Sequence, residues 1–145
     1  MKRILPIIFL MVVALCVKGQ EQTDQEAIIQ QCIDLPELQE HYPRESNGNF
    51  IPVHIMQYPI RFDEELNIRK FGAPPVFMSR EEMYDNNVDA YFVFKEIDDT
   101  NNGGWANFSF YYNYNSENQH VMHVSLVLEK KVEKWVITNS DIQIF

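Results

Sequence analysis

The sequence predicts an α+β fold, an amino-terminal helix packed on a bent antiparallel sheet whose last four strands form a meander. Three observations carry this expectation. Thr23-Asp24-Gln25-Glu26 is a capping box placed just ahead of Ile28, Ile29, Ile33 and Leu35. From Asp89 onward the apolar residues recur every second position, the period of a strand with one buried face. A sheet with one apolar face needs a cover, and the amino-terminal helix is the element able to supply it.

In chain order, the first segment reads as an address. Lys2 and Arg3 precede an apolar run from Ile4 to Val17, and small Gly19 closes it, the layout of a secretory signal peptide cleaved before Gln20. The run is shorter than the roughly 20 apolar residues that a bilayer requires, and Pro6 sits near its start. No transmembrane helix is therefore expected in the mature chain. Cys16 offers lipid attachment after cleavage on its amino side as a minor alternative, but Leu15 is larger than the residue usual before such a cysteine. Residues 20–145 then form a single α+β domain that is secreted or periplasmic.

The helix that starts at Thr23 is expected to end near Asp34 or Leu35, because Pro36 disfavours a helical residue before it. Pro36-Glu37-Leu38-Gln39 suits a short helical turn, and Asn47-Gly48-Asn49 a tight turn. Ile51, Val53 and Ile55 alternate with Pro52, His54 and Met56, which reads as a strand at an edge or a strand start. Leu66, Ile68 and Phe71 do not distinguish helix from strand, and Gly72-Ala73-Pro74-Pro75 is a break. Val76-Phe77-Met78 leads into a second capping box, Ser79-Arg80-Glu81-Glu82, which predicts a brief helix to about Asn86. Ala90 to Ile97, Trp105 to Tyr114, His120 to Lys131 and Trp135 to Phe145 have strand composition and are joined by turn-rich segments. Ala106, Phe108, Phe110 and Tyr112 form the apolar set of the second of these strands; Met122, Val124, Leu126 and Leu128 form that of the third.

Charge and cysteine content narrow the function. The chain has a net charge of −9, and loss of Lys2, Arg3 and Lys18 with the leader would leave −12. Such a balance repels phosphate backbones, so nucleic acid is not expected as a partner. Cys32 alone survives the same cleavage, which precludes an internal disulfide and reads as a buried thiol.

No catalytic or metal signature emerges. His120 and His123 are three apart on a strand, so their side chains point to opposite faces and do not share a metal. Asp98-Asp99-Thr100-Asn101-Asn102-Gly103-Gly104 resembles a calcium loop at its start, but Ser109 stands where a bidentate Glu belongs, and a hairpin turn uses the same residues. Asn107-Phe108-Ser109 is a glycosylation sequon, relevant in a eukaryotic secretory route. Asp63-Glu64-Glu65 and Glu81-Glu82 read as solvated acids. No cofactor is expected.

The suggestive feature is the face of the second meander strand opposite its apolar set. It carries Trp105, Asn107, Tyr111 and Asn113, aromatic rings beside amides, which suit stacking on a sugar ring or anchoring a partner. These four residues are the candidate ligand-binding set, for an unidentified protein, glycan or small molecule.

An amino-terminal helix followed by a final hairpin, Val124-Ser125-Leu126-Val127-Leu128-Glu129-Lys130-Lys131 and then Lys134-Trp135-Val136-Ile137, resembles the cone-shaped cystatin-like and nuclear-transport-factor-two-like superfamily. The resemblance covers the helix and about the last 55 residues; Ser46 to Met78 departs from the several early helices of the second branch. It implies an apolar cone in which a tyrosine and an acid act as in a small isomerase or dehydratase. Tyr91, Tyr112 and Tyr114 are the hydroxyls it offers, and Asp85, Asp89 and His123 the proton acceptors. Against this stand a non-enzymatic binding domain, the favoured expectation, and a structural component of the cell envelope.

Overall fold

The structure, a computed structural model, describes residues 21–100 and 102–145. The expected export segment and Cys16 lie outside the described residues. In order, the chain forms α1 (Asp24–Ile33), a 3-10 helix (Pro36–His41), β1 (His54–Met56), β2 (Val76–Met78), α2 (Arg80–Asp85), β3 (Tyr91–Asp98), β4 (Gly103–Tyr112), β5 (His120–Lys131) and β6 (Lys134–Ile144). The class is α+β, built on one mixed six-stranded sheet in the order β2-β1-β3-β4-β5-β6. No helix among the described residues is long and apolar enough to cross a membrane.

Strands β3 to β6 pair antiparallel with their chain neighbours, whereas β1 pairs parallel with both β2 and β3. The expectation of a wholly antiparallel sheet is corrected at this edge. Parallel neighbours need crossovers of a dozen or more residues, and the stretches that show no clear period supply them. Residues 57–75 cross on the α1 side, where Phe62 and Ile68 enter the main core. The connection from β2 to β3 crosses on the other side, where Met83 of α2 is buried. Pro52, which lacks an amide donor, falls before the paired segment of β1, so the strand sits inside the sheet.

Period two determines the main core. Phe92 and Phe94 of β3, Ala106, Phe108, Phe110 and Tyr112 of β4, and Met122, Val124, Leu126 and Leu128 of β5 all face α1 and are buried. Their rings interlock, with centroids 4.8 Å apart for Phe92 and Phe110 and 5.3 Å for Phe94 and Phe108. From the helix come Ile28, Ile29, Cys32 and Ile33, all fully buried.

Each end and one side of α1 are fastened by side chains, and of these fastenings sequence spacing reveals the capping box alone. Both halves of the Thr23–Glu26 capping box are formed. Asp24 accepts from Lys130 Nζ and Trp135 Nε1, each at 2.9 Å, which ties the helix start to the β5–β6 hairpin. At the other end the Tyr42 hydroxyl donates to the Ile33 carbonyl at 2.7 Å, satisfying an acceptor that the helix leaves unpaired. Alongside, the Asn67 amide donates to Glu26, Gln30 Nε2 donates to the Arg69 carbonyl, and Lys70 pairs with Asp34. The segment from Asn67 to Lys70 is thus a strap along the helix.

Candidate functional site

The opposite face of the sheet carries a smaller cluster of Met56, Met83 and Tyr91, with Met78, Val88, Val93 and Tyr111 packed against it. Helix α2 covers this end only. Its start is defined locally: the Ser79 hydroxyl accepts from the Glu82 amide while Glu82 accepts from the Ser79 amide, the second capping box. Six residues give it too little length to hold by itself, and burial of Met83 against the sheet anchors it.

Between α2 and the sheet lies a cavity of about 430 Å³. Tyr91, Val93 and Tyr111 line it from β3 and β4, Met56 from β1, and Arg80, Met83 and Tyr84 from α2. Tyr58, Tyr114, Asn87 and Asn115 close its sides. The pairing Tyr91↔Tyr111 across β3 and β4 stacks the two rings at 4.9 Å and 16°, and Tyr114 stands edge-on to both. Tyr58 and Tyr84 remain 67% and 82% exposed, so two of the lining rings are open to solvent. Burial first, and the neighbouring Tyr114 second, push the Tyr91 phenol well above its ordinary range, while the charge of Arg80 pulls it partly back.

The cavity gathers only part of the set expected from the sequence. Tyr111 lines it, and Asn113 lies just past the end of β4 with a positive φ of 53°. Trp105 and Asn107 lie toward the far end of the same strand; six residues of strand separate Trp105 from Tyr111 by about 20 Å. Trp105 is 39% exposed beside its partner Val127, and Asn107 donates to Glu96 at 3.1 Å. The four residues therefore do not converge on this cavity. Sharing a face of a strand says nothing about position along it, and α2 covers only one end.

The remaining expected groups are dispersed over the fold. His120 stacks on Tyr112 at 5.3 Å, while His123 Nδ1 lies 2.7 Å from the Ser109 hydroxyl on the opposite face. Ser109 is fully buried, whereas His123 is half-buried. Asp89 accepts from the Asn115 amide, Asp85 is exposed at the end of α2, and Tyr112 faces the main core. Cys32 is fully buried, and burial pushes its thiol far up, so the inert reading of this cysteine fits. Among the described residues no group of three His, Cys, Asp or Glu side chains is placed to hold a metal ion.

A second, more open groove of about 900 Å³ runs between the start of α1 and the β5–β6 hairpin. Within it Asp24 holds Lys130 and Trp135, and Gln30 holds Asp34 and the Arg69 carbonyl. The space between α1 and the sheet itself is filled by the main core.

Sequence reasoning misses Tyr58, Arg80, Met83 and Tyr84 as site residues. The Ser79 capping box is the available signal, since it announces a short helix whose Met83 must find an apolar partner. Comparison with known proteins returns no matching family model, no matching curated protein and no matching solved structure.

Proposed function

We propose that this chain is an exported, non-enzymatic binding domain whose ligand site is the tyrosine-lined cavity beneath α2. The observation that carries the reading is the convergence of five tyrosines on one cavity, two of them with open rings. A concave, largely apolar site with a few directed polar groups is the usual form of a small-molecule pocket, and 430 Å³ lies within the usual range of about 300–1,000 Å³. Export rests on the charged and apolar pattern of Lys2 to Gly19. The acidic balance of the chain supports the exclusion of nucleic acid.

The enzyme reading keeps one supporting observation, that Tyr91 and Tyr114 both line the cavity. Its ionisable lining groups, however, are tyrosines and Arg80, while Asp85, Asp89 and His123 are occupied or sited elsewhere. A proton acceptor within hydrogen-bond reach of substrate is what such chemistry requires.

The cone-shaped architecture belongs to the same proposal. Helix α1 touches both β3 and β6, which are three strand spacings, about 14 Å, apart in a flat sheet. A sheet curled around the helix brings both within its reach.

Ligand-observed NMR against a fragment library of ring compounds tests the binding reading, using the wild type, a Tyr58→Ala/Tyr84→Ala double variant and Trp105→Ala. Hits that weaken severalfold in the double variant and persist in Trp105→Ala are expected. Hits lost only in Trp105→Ala, or no hit at all, would move the site to the open face or remove it.

A further inference from the structure

Resting on the reading of the cavity as a ligand site, we infer that its ligand is a small aromatic carboxylate, the ring held among Tyr91, Tyr111 and Met83 and the carboxylate held by Arg80. The charge argument comes first. In a chain with 21 acidic and 12 basic residues, the only formally charged group lining the cavity among the described residues is a guanidinium. Arg80 makes no ion pair among the described residues, although Glu81 and Asp85 are its neighbours on α2. The charge nevertheless reaches the interior, since Tyr91 senses it. A planar guanidinium with a free fork of donors suits a carboxylate, which accepts two parallel hydrogen bonds from it. A cationic ligand would meet this charge with no carboxylate in the lining to offset it.

The lining also selects the ring. Met56, Met83, Val88 and Val93 present thioether and methyl groups. A sugar laid on those groups would lose water from hydroxyls that thioether and methyl groups cannot replace, a cost an apolar ring does not carry. An aromatic ring instead extends the existing arrangement of stacked Tyr91 and Tyr111 with edge-on Tyr114, and methionine sulfur also favours an aromatic neighbour.

The test is isothermal titration of the full chain as exported, at pH 7, with phenylacetate, 2-phenylethanol, 2-phenylethylammonium and glucuronate. A charge-assisted hydrogen bond predicts that phenylacetate binds about tenfold more tightly than the alcohol, with the ammonium weakest. Arg80→Gln should bring phenylacetate down to the affinity of the alcohol measured on the same variant, and Lys95→Gln, which deletes the same charge outside the cavity, should preserve the preference. Equal binding of acid, alcohol and ammonium, or a preference that survives Arg80→Gln, would overturn the carboxylate assignment and leave the cavity reading standing. Glucuronate binding more tightly than phenylacetate would overturn the aromatic ring. If none of the four binds, the ligand class fails, and the fragment screen decides separately whether the cavity is a site.

Discussion

Gly104 is buried at the start of β4, and a Cβ added there would stand 2.6 Å from the Asp98 carbonyl oxygen and 3.1 Å from the Trp135 ring. Backbone cannot retreat as a flexible side chain can, so the residue is required for close approach rather than for an unusual φ. Gly103, one position earlier, has nothing within 4 Å of the same added atom. Gly104→Ala should therefore cost about 1–3 kcal/mol, as overpacking does, and Gly103→Ala less than about 0.5 kcal/mol, compared by urea denaturation. Asp24 supplies a second prediction, in pH. Hydrogen bonds from Lys130 first and Trp135 second hold its carboxyl below the ordinary value of 3.8. A depressed pKa in the folded state means that the unfolded chain takes up the proton first as acid is added. The stabilisation is complete above the unfolded value, near pH 4, and is lost as pH falls through the folded one. Melting temperature followed from pH 7 to pH 3 should fall less steeply for Asp24→Asn than for wild type over the acid part of the range. Parallel acid limbs would show that the contact contributes nothing to the pH dependence.

Among the elements, α1 and α2 begin with the same device and differ in the packing behind it. Both capping boxes are legible in the sequence, because Thr23 with Glu26 and Ser79 with Glu82 place donor and acceptor three residues apart. Removal of either hydroxyl should cost about 1 kcal/mol, but the consequences differ with the core each helix joins. Thr23→Ala acts on a helix whose Ile28, Ile29 and Ile33 are fully buried, so it should lower global stability. Ser79→Ala acts on a helix anchored chiefly by Met83, so amide exchange should quicken within Arg80–Asp85 with little change in β4 and β5. Equal acceleration in α2 and the strands would contradict this. The four meander strands are also legible, and for the same reason: the period of two in Phe92 to Phe94, Phe108 to Tyr112 and Met122 to Leu128 is a property of neighbours in the chain. The parallel placement of β1 and β2 is not. The alternation from Ile51 to Met56 marks a strand at β1 but not its partners, and the pairing is decided by the crossover at residues 57–75, where Phe62 and Ile68 are buried without any regular spacing. The cavity is half legible. Tyr111 is marked by its face of the strand, whereas Arg80, Tyr84 and Tyr58 reach it only through the fold, from segments 27 to 53 residues away in the chain.

At the scale of the whole molecule, the sheet separates two apolar clusters of unequal size. The one facing α1 holds all four of the fully buried phenylalanines among the described residues, Phe92, Phe94, Phe108 and Phe110, while the one beneath α2 has Met56, Met83 and Tyr91 as its buried members. This inequality suits the binding function proposed above. Stability can reside in the larger cluster while the smaller one, covered by a short helix, opens and closes around a ligand at modest cost. Truncation should reveal the division. Phe108→Ala removes a ring that touches Phe92 and Phe94 and should cost about 3–5 kcal/mol with a matching fall in the urea midpoint. Met83→Ala should cost about 2 kcal/mol or a little more, near the bottom of the range for methionine truncation, because α2 can settle into the space it vacates. Affinity should respond in the opposite order. Met83→Ala should weaken binding of ring compounds severalfold, whereas Phe108→Ala, studied at a urea concentration where it remains folded, should leave affinity within about twofold, since its ring faces α1 across the sheet from the cavity. Urea titrations of both variants, paired with ligand titrations at the same protein concentration, give the two measurements. A loss of affinity that tracks loss of stability in both variants would mean that the two faces of the sheet behave as one cooperative unit.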